Sequence, residues 1–311
     1  YQIHFNVLQA GQYGAPQGRQ RVIFLGARIG VPLPKFPTPT HYFKHPWHAK
    51  LSNGKKTWSV SRSKDNNVWT PGAPLYSVTV EDAISDLPVF DWINPHTILS
   101  RTRADKDEAT ARKASGIPAF DALVRNGTSL PGFDHPVEYG SAPRTRYQTW
   151  MRQRSGDKVS GHYTARFSDA VVERTVNVPL EPDASWLDLP KELTPKKSGK
   201  QVADGIYQRI NGEGFFRTST TTVSPASKGS TVLHPSQKRI LTVRECARAQ
   251  GFPDHWQFLS SNTKPNTIVQ DQLRQIGNAV PVPLAMALGR SLGESLMERW
   301  EALEREGSPE L

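Results

Sequence analysis

Residues 9–25 read Gln9-Ala-Gly-Gln-Tyr-Gly-Ala-Pro-Gln-Gly-Arg-Gln-Arg-Val-Ile-Phe-Leu25, a glycine-rich polar loop that runs into a short apolar stretch. Upstream of the loop, Ile3, Phe5 and Val7 alternate with polar residues, which predicts a strand with one buried face. The apolar run at 22–25 predicts a second strand, buried on both faces. The sequence therefore predicts two strands that hold between them a loop ending in arginine.

The C-terminal part of the chain has a regular helical pattern. Thr242-Val-Arg-Glu245 matches a capping box and predicts a helix that Gly251 and Pro253 end. Gln275-Ile-Gly-Asn-Ala-Val-Pro281 predicts a tight turn. After it, leucines recur every four residues from Leu284 to Leu296, which predicts a long amphipathic helix.

Between Gly30 and Leu233 the periodicity is weak and prolines are frequent, which predicts an irregular α+β region. Thr79-Val-Glu-Asp82 has a capping pattern and predicts a short helix that Pro88 closes. The middle of the chain is therefore expected to consist of loops and short elements that contact a partner.

Composition limits the kind of protein. The chain has 311 residues, 36% of them hydrophobic, and one cysteine. A single cysteine excludes a disulfide framework and a zinc cluster of thiolates, because both need several sulfurs. It leaves Cys246 as the candidate thiol nucleophile. The sequence has no apolar run of about 18 residues, so no membrane span is expected. A first residue Tyr1 on a predicted strand indicates a piece of a longer polypeptide.

Positive charge is concentrated near the N-terminus. The formal net charge is +10, and residues 1–80 hold ten Lys and Arg against one acid, Asp65, which gives +9 of it. Such a basic block is the electrostatic pattern expected for a protein that binds a polyanion. A solvated basic surface that aids solubility has the same composition, so charge alone leaves both interpretations open.

Three motifs occur in order: Tyr13-Gly-Ala-Pro-Gln-Gly-Arg-Gln-Arg-Val-Ile-Phe24, Leu241-Thr-Val-Arg-Glu-Cys-Ala-Arg-Ala-Gln-Gly-Phe-Pro-Asp254, and Gln275-Ile-Gly-Asn-Ala-Val-Pro281. Together they resemble the closing blocks of the DNA (cytosine-5) methyltransferases. Thr79-Val-Glu-Asp-Ala-Ile-Ser-Asp-Leu-Pro88 and Arg209-Ile-Asn-Gly-Glu-Gly-Phe-Phe-Arg-Thr218 resemble the large maintenance-type eukaryotic enzymes. The resemblance covers nearly the whole chain up to about Trp300.

The resemblance implies an α/β fold: the C-terminal portion of a Rossmann-like, S-adenosylmethionine-dependent methyltransferase with a large irregular α+β target-recognition region inserted. Residues 1–30 would be the last strands of the catalytic domain with the Gln-x-Arg-x-Arg loop. Residues 31–233 would be the target-recognition region, and residues 234–311 the closing helices of the catalytic domain.

In this family a cysteine thiolate attacks C6 of a flipped cytosine, a glutamate holds the N3 edge, and C5 takes the methyl group. By resemblance, Arg21 faces the cytosine O2 edge, Arg19 holds backbone phosphate or supports the nucleophile loop, and Gln17 braces that loop. A fixed cation aimed at developing negative charge suits this chemistry. Asn278 and Val280 are expected to line the cofactor pocket, although an ordinary turn residue is the alternative for Asn278.

Of three further residues, one is assigned to contact with the substrate and two are assigned to structure. Arg239 is interpreted as a DNA contact, with a solvated surface arginine as the alternative. Arg244 and Glu245 are expected to organise the base of the recognition region, because capping already explains Glu245.

The family's Pro-Cys nucleophile loop, its Glu-Asn-Val-like block and its Gly-rich cofactor loop do not occur in the sequence. Cys246 lies inside the capping-box helix, where the family counterpart packs a helix, and a free cysteine usually behaves as a small buried hydrophobe. We therefore expect a chain that contains the recognition and closing parts of the enzyme and is inactive by itself.

The implied cofactor is S-adenosylmethionine, and the implied partner is double-stranded DNA with cytosine targets, with hemimethylated CpG as one candidate. Chromatin partners would bind through regions upstream of this chain, in the nucleus. No metal site is expected at His41, His45 and His48, because no cysteine is near and Pro46 interrupts any helix. A non-catalytic DNA-binding or regulatory segment is the alternative. An RNA-directed relative fits less well, because the middle region is too long.

Overall fold

The computed structural model describes residues 1–43, 48–52, 57–61, 73–126, 129–195, 205–218, 222–227 and 231–305, with 48–52 and 57–61 described by their backbone alone. The chain divides into two compact units. The first comprises Tyr1–Val78 and Val280–Leu311, and the second comprises Thr79–Ala279. These boundaries differ from the predicted ones at 30/31 and 233/234, and the functional division of the chain stays a prediction.

The first unit is built on the predicted pair of strands. β1 (Gln2–Gln9) and β2 (Gln20–Ala27) are antiparallel, in register from Gln2 opposite Ala27 to Gln9 opposite Gln20. The backbones of β3 (His48–Ser52) and β4 (Thr57–Ser61) form a second hairpin. The prediction of two strands around an arginine loop is confirmed.

The buried face of this hairpin differs from the predicted one except at Val7, which is 8% exposed. Leu8 packs with Ala10, Tyr13 and Leu284 in the core of the unit, and Ile23 lies against the same cluster. On the other face Val7 is buried, and the large side chains around it are exposed. Its exposed large side chains are Ile3 67%, Phe5 49%, Val22 40% and Phe24 67%. The predictions that Ile3 and Phe5 face the core, and that the 22–25 run is buried on both faces, are therefore wrong.

The predicted amphipathic helix is α7 (Val282–Arg305), 24 residues long. Leu284 is fully buried in the core of the unit, and Ser291 donates a hydrogen bond from its hydroxyl to the Lys35 carbonyl. Leu296 and Trp300 are 63% and 52% exposed. The helix is confirmed, and its N-terminal half anchors it.

The second unit contains short strands in two-stranded sheets. Its strands are β5 (Asp91–Trp92), β6 (Ala119–Phe120), β7 (Gly132–Phe133), β8 (Val137–Glu138), β9 (Lys158–Val159), β10 (His162–Tyr163), β11 (Gln208–Arg209) and β12 (Thr231–Leu233). The pairs β5–β6 and β11–β12 are parallel, and β7–β10 and β8–β9 are antiparallel. This arrangement agrees with the predicted irregular α+β region.

Six α-helices accompany these strands in the described part of the unit: α1 (Val80–Ile84), α2 (Arg103–Ala114), α3 (Arg146–Met151), α4 (Asp169–Asn177), α5 (Val243–Ala249) and α6 (Pro265–Asn278). The capping boxes predicted at Thr79 and Thr242 are both present, with reciprocal bonds to Asp82 and Glu245. Gly251, with φ of 79°, follows the end of α5 as predicted. No helix among the described residues is long and apolar enough to span a membrane.

The sequence did not predict helix α6. Its last four residues, Gln275–Asn278, were expected to begin a tight turn, but they are helical, and the chain leaves the helix at Ala279. Ile276 is 1% exposed, and its carbonyl accepts a hydrogen bond from Nε2 of Gln250. Burial of one face therefore extends the helix through Gly277, a residue with low helix propensity.

Candidate functional site

The arginine loop of the first unit is closed at its base by hydrogen bonds. The Ala10 N–H donates to the Arg19 carbonyl at 2.9 Å, and the Arg19 N–H donates to Oε1 of Gln9 at 2.7 Å. Between these bonds, a 3₁₀ turn at Ala10–Tyr13 ends at Gly14, whose φ of 97° favours glycine. The residues that follow Gly14 therefore extend from a backbone whose position is fixed.

This loop brings together the three residues predicted to act near the target base. Gln17 is fully buried, Arg19 is 3% exposed, and Arg21 is half-buried at the start of β2. Burial and the positive charge of Arg21 lower the pKa of Arg19 to about 10. Two guanidinium groups held close together, one of them desolvated, favour a negatively charged group nearby.

Arg239 lies in the core of the second unit and not at a surface. Its side chain is fully buried, and its two terminal nitrogens donate to the carboxylate of Glu245 at 2.8 and 2.7 Å. The guanidinium also lies 4.2 Å above the centre of the Phe90 ring. The DNA contact predicted for Arg239, and the solvated alternative, are wrong, because its charge is neutralised inside the protein.

Glu245 combines this ion pair with the capping of α5. The Thr242 N–H donates to its carboxylate at 2.7 Å, and its own N–H donates to the Thr242 hydroxyl oxygen at 3.1 Å. Burial by itself raises the pKa of Glu245, but the charge of Arg239 and its two hydrogen bonds hold it far below its usual range. Glu245 is thus an ionised core residue, which agrees with its predicted structural role.

Two buried histidines border this ion pair. Burial lowers the pKa of His162 to about 4, and burial together with Arg239 lowers the pKa of His234. Nε2 of His162 lies 2.7 Å from the Pro88 carbonyl, and its Nδ1 lies 3.2 Å from the Thr242 hydroxyl. Since a carbonyl can only accept, Nε2 carries a hydrogen, and the lowered pKa leaves Nδ1 unprotonated at neutral pH, where it accepts from the Thr242 hydroxyl.

Sequence reasoning missed Arg248, which is fully buried in α5. Its nitrogens donate to Asp254 at 2.9 and 2.6 Å, to the Ala83 carbonyl at 2.7 Å, and to Asp86. These bonds join α1 to α5. The small and apolar neighbours of Arg248 within the helix are the sequence signal that could have indicated it, because an arginine on a buried helix needs an acidic partner.

Arg244 was expected to organise the recognition region, and its contacts agree. The guanidinium donates to the carbonyls of Ser160 at 2.8 Å and Trp256 at 2.9 Å, which ties α5 to two loops. Cys246, on the same helix, is 4% exposed, and burial raises the pKa of its thiol. A buried neutral thiol is a poor nucleophile, so Cys246 is a packing residue.

The two predicted cofactor residues flank the boundary between the compact units. Asn278 is the last residue of α6 and is exposed, and Val280 is 48% exposed. The side chain of Asn278 offers both a donor and an acceptor, and Val280 offers an apolar surface. Both can reach a ligand from solvent.

Of the three histidines considered as metal ligands, His41 is described. Its Nδ1 lies 2.9 Å from the Thr40 hydroxyl, and its ring packs against Gly14, where an added Cβ would lie 2.8 Å from it. The side chains of His45 and His48 lie outside the described residues, as does most of the basic block after Lys35.

The family model of the C-5 cytosine-specific DNA methylases matches residues 1–294. The chain belongs to this family. The resemblance noted in the three motifs is thereby confirmed, and the α/β methyltransferase fold class with it.

Similar curated proteins carry the same family name. The chain is 33% identical over 313 residues to DNA (cytosine-5)-methyltransferase 1A of Oryza sativa, covering 95% of the chain and 17% of that protein. It is 34% identical to DNA (cytosine-5)-methyltransferase 2 of Arabidopsis thaliana, with the same coverage. It is 30% identical over 349 residues to DNA (cytosine-5)-methyltransferase 1 of Gallus gallus, covering 93% and 19%. The chain thus spans less than a fifth of these relatives.

Among solved structures, a prophage DNA modification methyltransferase of E. coli aligns with 95% of the chain and 61% of its own length. The TM-score is 0.47 at 18% identity.

Proposed function

We propose that the chain is the DNA-recognition and closing part of a DNA (cytosine-5) methyltransferase, which transfers a methyl group from S-adenosylmethionine to C5 of a flipped cytosine. The observation that carries this proposal is the rigid loop that holds Arg19 and Arg21 together at partly buried positions. The family match over residues 1–294 supplies the reaction class.

In this proposal Arg21 faces the O2 edge of the target base. When a thiolate adds to C6, negative charge develops on the ring, and a guanidinium fixed beforehand stabilises that charge without reorganisation. Arg19, which lies deeper, holds a backbone phosphate or the nucleophile loop, and Gln17 supports the loop from within the core. The nucleophilic cysteine and the base-binding glutamate come from polypeptide outside this chain, because Cys246 is buried and protonated.

S-adenosylmethionine supplies the methyl group when it is bound. Asn278 and Val280 fit a contact with it, because both are exposed and offer the polar and apolar surfaces described above. The remaining wall of the cofactor pocket would come from outside this chain, since the Gly-rich loop of the family does not occur in the sequence.

The proposed substrate of the whole protein is double-stranded DNA, with hemimethylated CpG as the candidate target and the nucleus as the compartment. Extruding a base from the duplex costs a few kcal/mol, and phosphate contacts from a basic surface can offset that cost. The positive charge of residues 1–80 is suited to this role. Chromatin partners would bind parts of the whole protein outside this chain.

A second candidate function is a non-catalytic DNA-binding segment derived from such an enzyme. The burial of Cys246 favours it for the chain by itself, because the described residues then present no reactive thiol.

Methyl transfer from radiolabelled S-adenosylmethionine to cytosine-containing DNA distinguishes the two functions. We expect transfer by the full natural polypeptide that contains this chain, and none by residues 1–311 alone. A full natural polypeptide that binds DNA without methylating it would establish the second function. Transfer by residues 1–311 alone would contradict the assignment of the nucleophile to another part of the protein.

A further inference from the structure

Helix α2 of the second unit is held to the rest of the unit by charge and not by burial. None of its 12 residues is buried, and only Asp105 and Arg112 are half-buried. A surface helix normally buries an apolar stripe, because a helix of this length is marginally stable without tertiary packing. The position of α2 therefore depends on its ion pairs.

Two ion pairs attach α2 along one of its faces. Oε1 of Glu108 lies 2.7 Å from Nζ of Lys238. Arg112 forms a two-nitrogen ion pair with Asp91, its second nitrogen lying 3.0 Å from Oδ1. Glu108 and Arg112 are four residues apart and so lie on the same side of the helix. Their partners are joined in turn, because the Lys238 N–H donates to Oδ1 of Asp91 at 2.8 Å. Both ion pairs therefore end at one place on the body of the unit.

The backbone on either side of α2 is fixed. Before the helix, the Leu99 N–H donates to the carboxylate of Glu173 at 2.7 Å. After it, the Pro118 carbonyl accepts from the Asp91 N–H at 2.9 Å. Between the helix and Pro118 lies Gly116, whose φ is 76° and whose Cβ position has no atom of the described residues within 4 Å. The short segments that flank α2 can therefore change conformation while the strands stay paired.

A cavity of about 660 Å³ lies beneath the attached face of α2. Glu108, Ala109 and Arg112 line it from the helix, and Val176 and Val178 line it from the opposite wall. The two valines are buried, with exposed fractions of 2% and 1%. A side chain that faces empty space has no dispersion contacts on that side. Movement of α2 away from this wall therefore breaks its ion pairs but little apolar packing.

We propose that α2 is a lid over this cavity and that it opens by an exchange of ion-pair partners. In the closed state Glu108 pairs with Lys238 and Arg112 pairs with Asp91. In the open state Glu108 pairs with Arg112 within the helix, an acid four residues before a base being the favourable order. Asp91 keeps the Lys238 N–H, and the wall at Val178 becomes accessible from solvent. The lid is independent of the arginine loop, so either proposal can fail while the other stands.

Thiol labelling of residues 1–311 with N-ethylmaleimide, a neutral reagent, tests the proposal. Val178→Cys places a thiol in the cavity wall, and Cys246, which is 4% exposed in the core, is the internal control. Salt screens the two ion pairs, so labelling at position 178 is expected to be about tenfold faster at about 1 M than at about 0.05 M NaCl, while Cys246 stays unlabelled. Should Val178→Cys not fold, Ile117→Cys, at a half-buried residue that lines the same cavity, repeats the measurement. No effect of salt on labelling, or an equal acceleration at Cys246, overturns the proposal.

Two variants that remove the same ion pair test the exchange of partners. At low salt Lys238→Gln and Glu108→Gln are each expected to accelerate labelling, by about threefold or more. Lys238→Gln leaves Glu108 free to pair with Arg112 in the open state, so its effect is expected to be about twice that of Glu108→Gln. Arg103→Gln is the matched control, because its ion pair with Asp107 lies within α2 and is the same in both states. Equal effects of the first two variants would exclude partner exchange, and an equal effect of the control would show melting of the helix; either result overturns the proposal.

Discussion

Arg239 and Glu245, six residues apart in sequence, form a two-nitrogen ion pair in the core of the second unit, with both side chains fully buried. The pair fixes the segment before α5 to the first turn of that helix. Two charges in a core are tolerated because each neutralises the other and the remaining lone pairs have donors. The sequence around this pair belongs to a motif of the methyltransferase family. In this chain the residues of the motif stabilise the fold of the second unit.

The buried ion pair predicts a large asymmetry between variants. Arg239→Ala leaves the Glu245 carboxylate unpaired in the core and is expected to lower the free energy of unfolding by about 3–5 kcal/mol. Arg103→Ala, which removes a guanidinium from an exposed pair with Asp107, is expected to change it by less than about 1 kcal/mol. Urea titration followed by circular dichroism measures both, and equal losses would contradict a structural role for Arg239.

Acid is expected to destabilise the second unit. The pKa of His162 is lowered to about 4 in the folded protein, against about 6.5 in an unfolded chain, so the unfolded state takes up more protons between those values. Stability is therefore intact above about pH 6.5 and falls as the pH drops toward 4, by up to about 3 kcal/mol from this group. Ionised Glu245, whose folded pKa is lowered, adds to the loss in the lower part of that range.

Melting temperatures measured between pH 7.5 and pH 4.5 would show this fall, the window being chosen around the unfolded histidine pKa of about 6.5. The variant His162→Gln keeps hydrogen-bonding groups but does not titrate, so its melting temperature is expected to vary less with pH. A pH dependence as steep as that of the original protein would exclude His162 as its source.

The two capping boxes of α2 and α5 offer a matched comparison. Thr242→Ala is expected to lower the free energy of unfolding by more than the loss of about 1 kcal/mol that is typical for removal of an N-cap side chain. The reason is that the buried hydroxyl of Thr242 also contacts Nδ1 of His162. Thr102→Ala, in an exposed capping box, is expected to cost about 1 kcal/mol or less. Unfolding free energies of the two variants test the difference, and a larger loss for Thr102→Ala would contradict it.

Local chemistry was sufficient to predict where several elements begin. The caps at Thr79 and Thr242 each need a partner three residues away, so the motif contains the whole interaction. The same holds for the hairpin, whose strands are separated by one loop. Helix α6 was missed because its extension through Gly277 depends on burial of Ile276, and the motif at 275–281 shows glycine and asparagine but not what covers them.

Long-range partners could not be predicted in this way. Arg248 is bonded to Asp86, 162 residues earlier, and nothing near either residue indicates the other. The sequence assigns Arg239 to DNA because an arginine before a family motif carries charge, whereas its burial depends on Phe90, 149 residues earlier. The cluster of Gln17, Arg19 and Arg21 was predictable because one short loop contains it.

The proposed catalytic role of Arg21 predicts a loss of methyl transfer in the intact protein. Arg21→Ala is expected to reduce single-turnover methylation by about 10²-fold or more, the scale of removing one preorganised charge-stabilising donor. Its fold should persist, because Arg21 is half-buried and is the second residue of β2. Arg28→Ala is the matched control, since Arg28 is exposed just after the same strand. Near-normal methylation by Arg21→Ala would contradict the role.

Binding of DNA by residues 1–311 is expected to depend strongly on salt, because residues 19–64 hold most of the net positive charge. Each neutralised phosphate releases counterions, so even two such contacts lower the affinity about tenfold between about 50 and 200 mM salt. The double variant Lys55→Gln/Lys56→Gln should reduce the affinity. It should also reduce the slope of a plot of the logarithm of the affinity against the logarithm of the salt concentration. Arg103→Gln/Lys106→Gln removes the same charge from the exposed surface of α2 and should leave the slope unchanged. An affinity that does not vary with salt would show that charge does not drive the binding. Equal slopes for the two double variants would place the DNA contact outside the basic block.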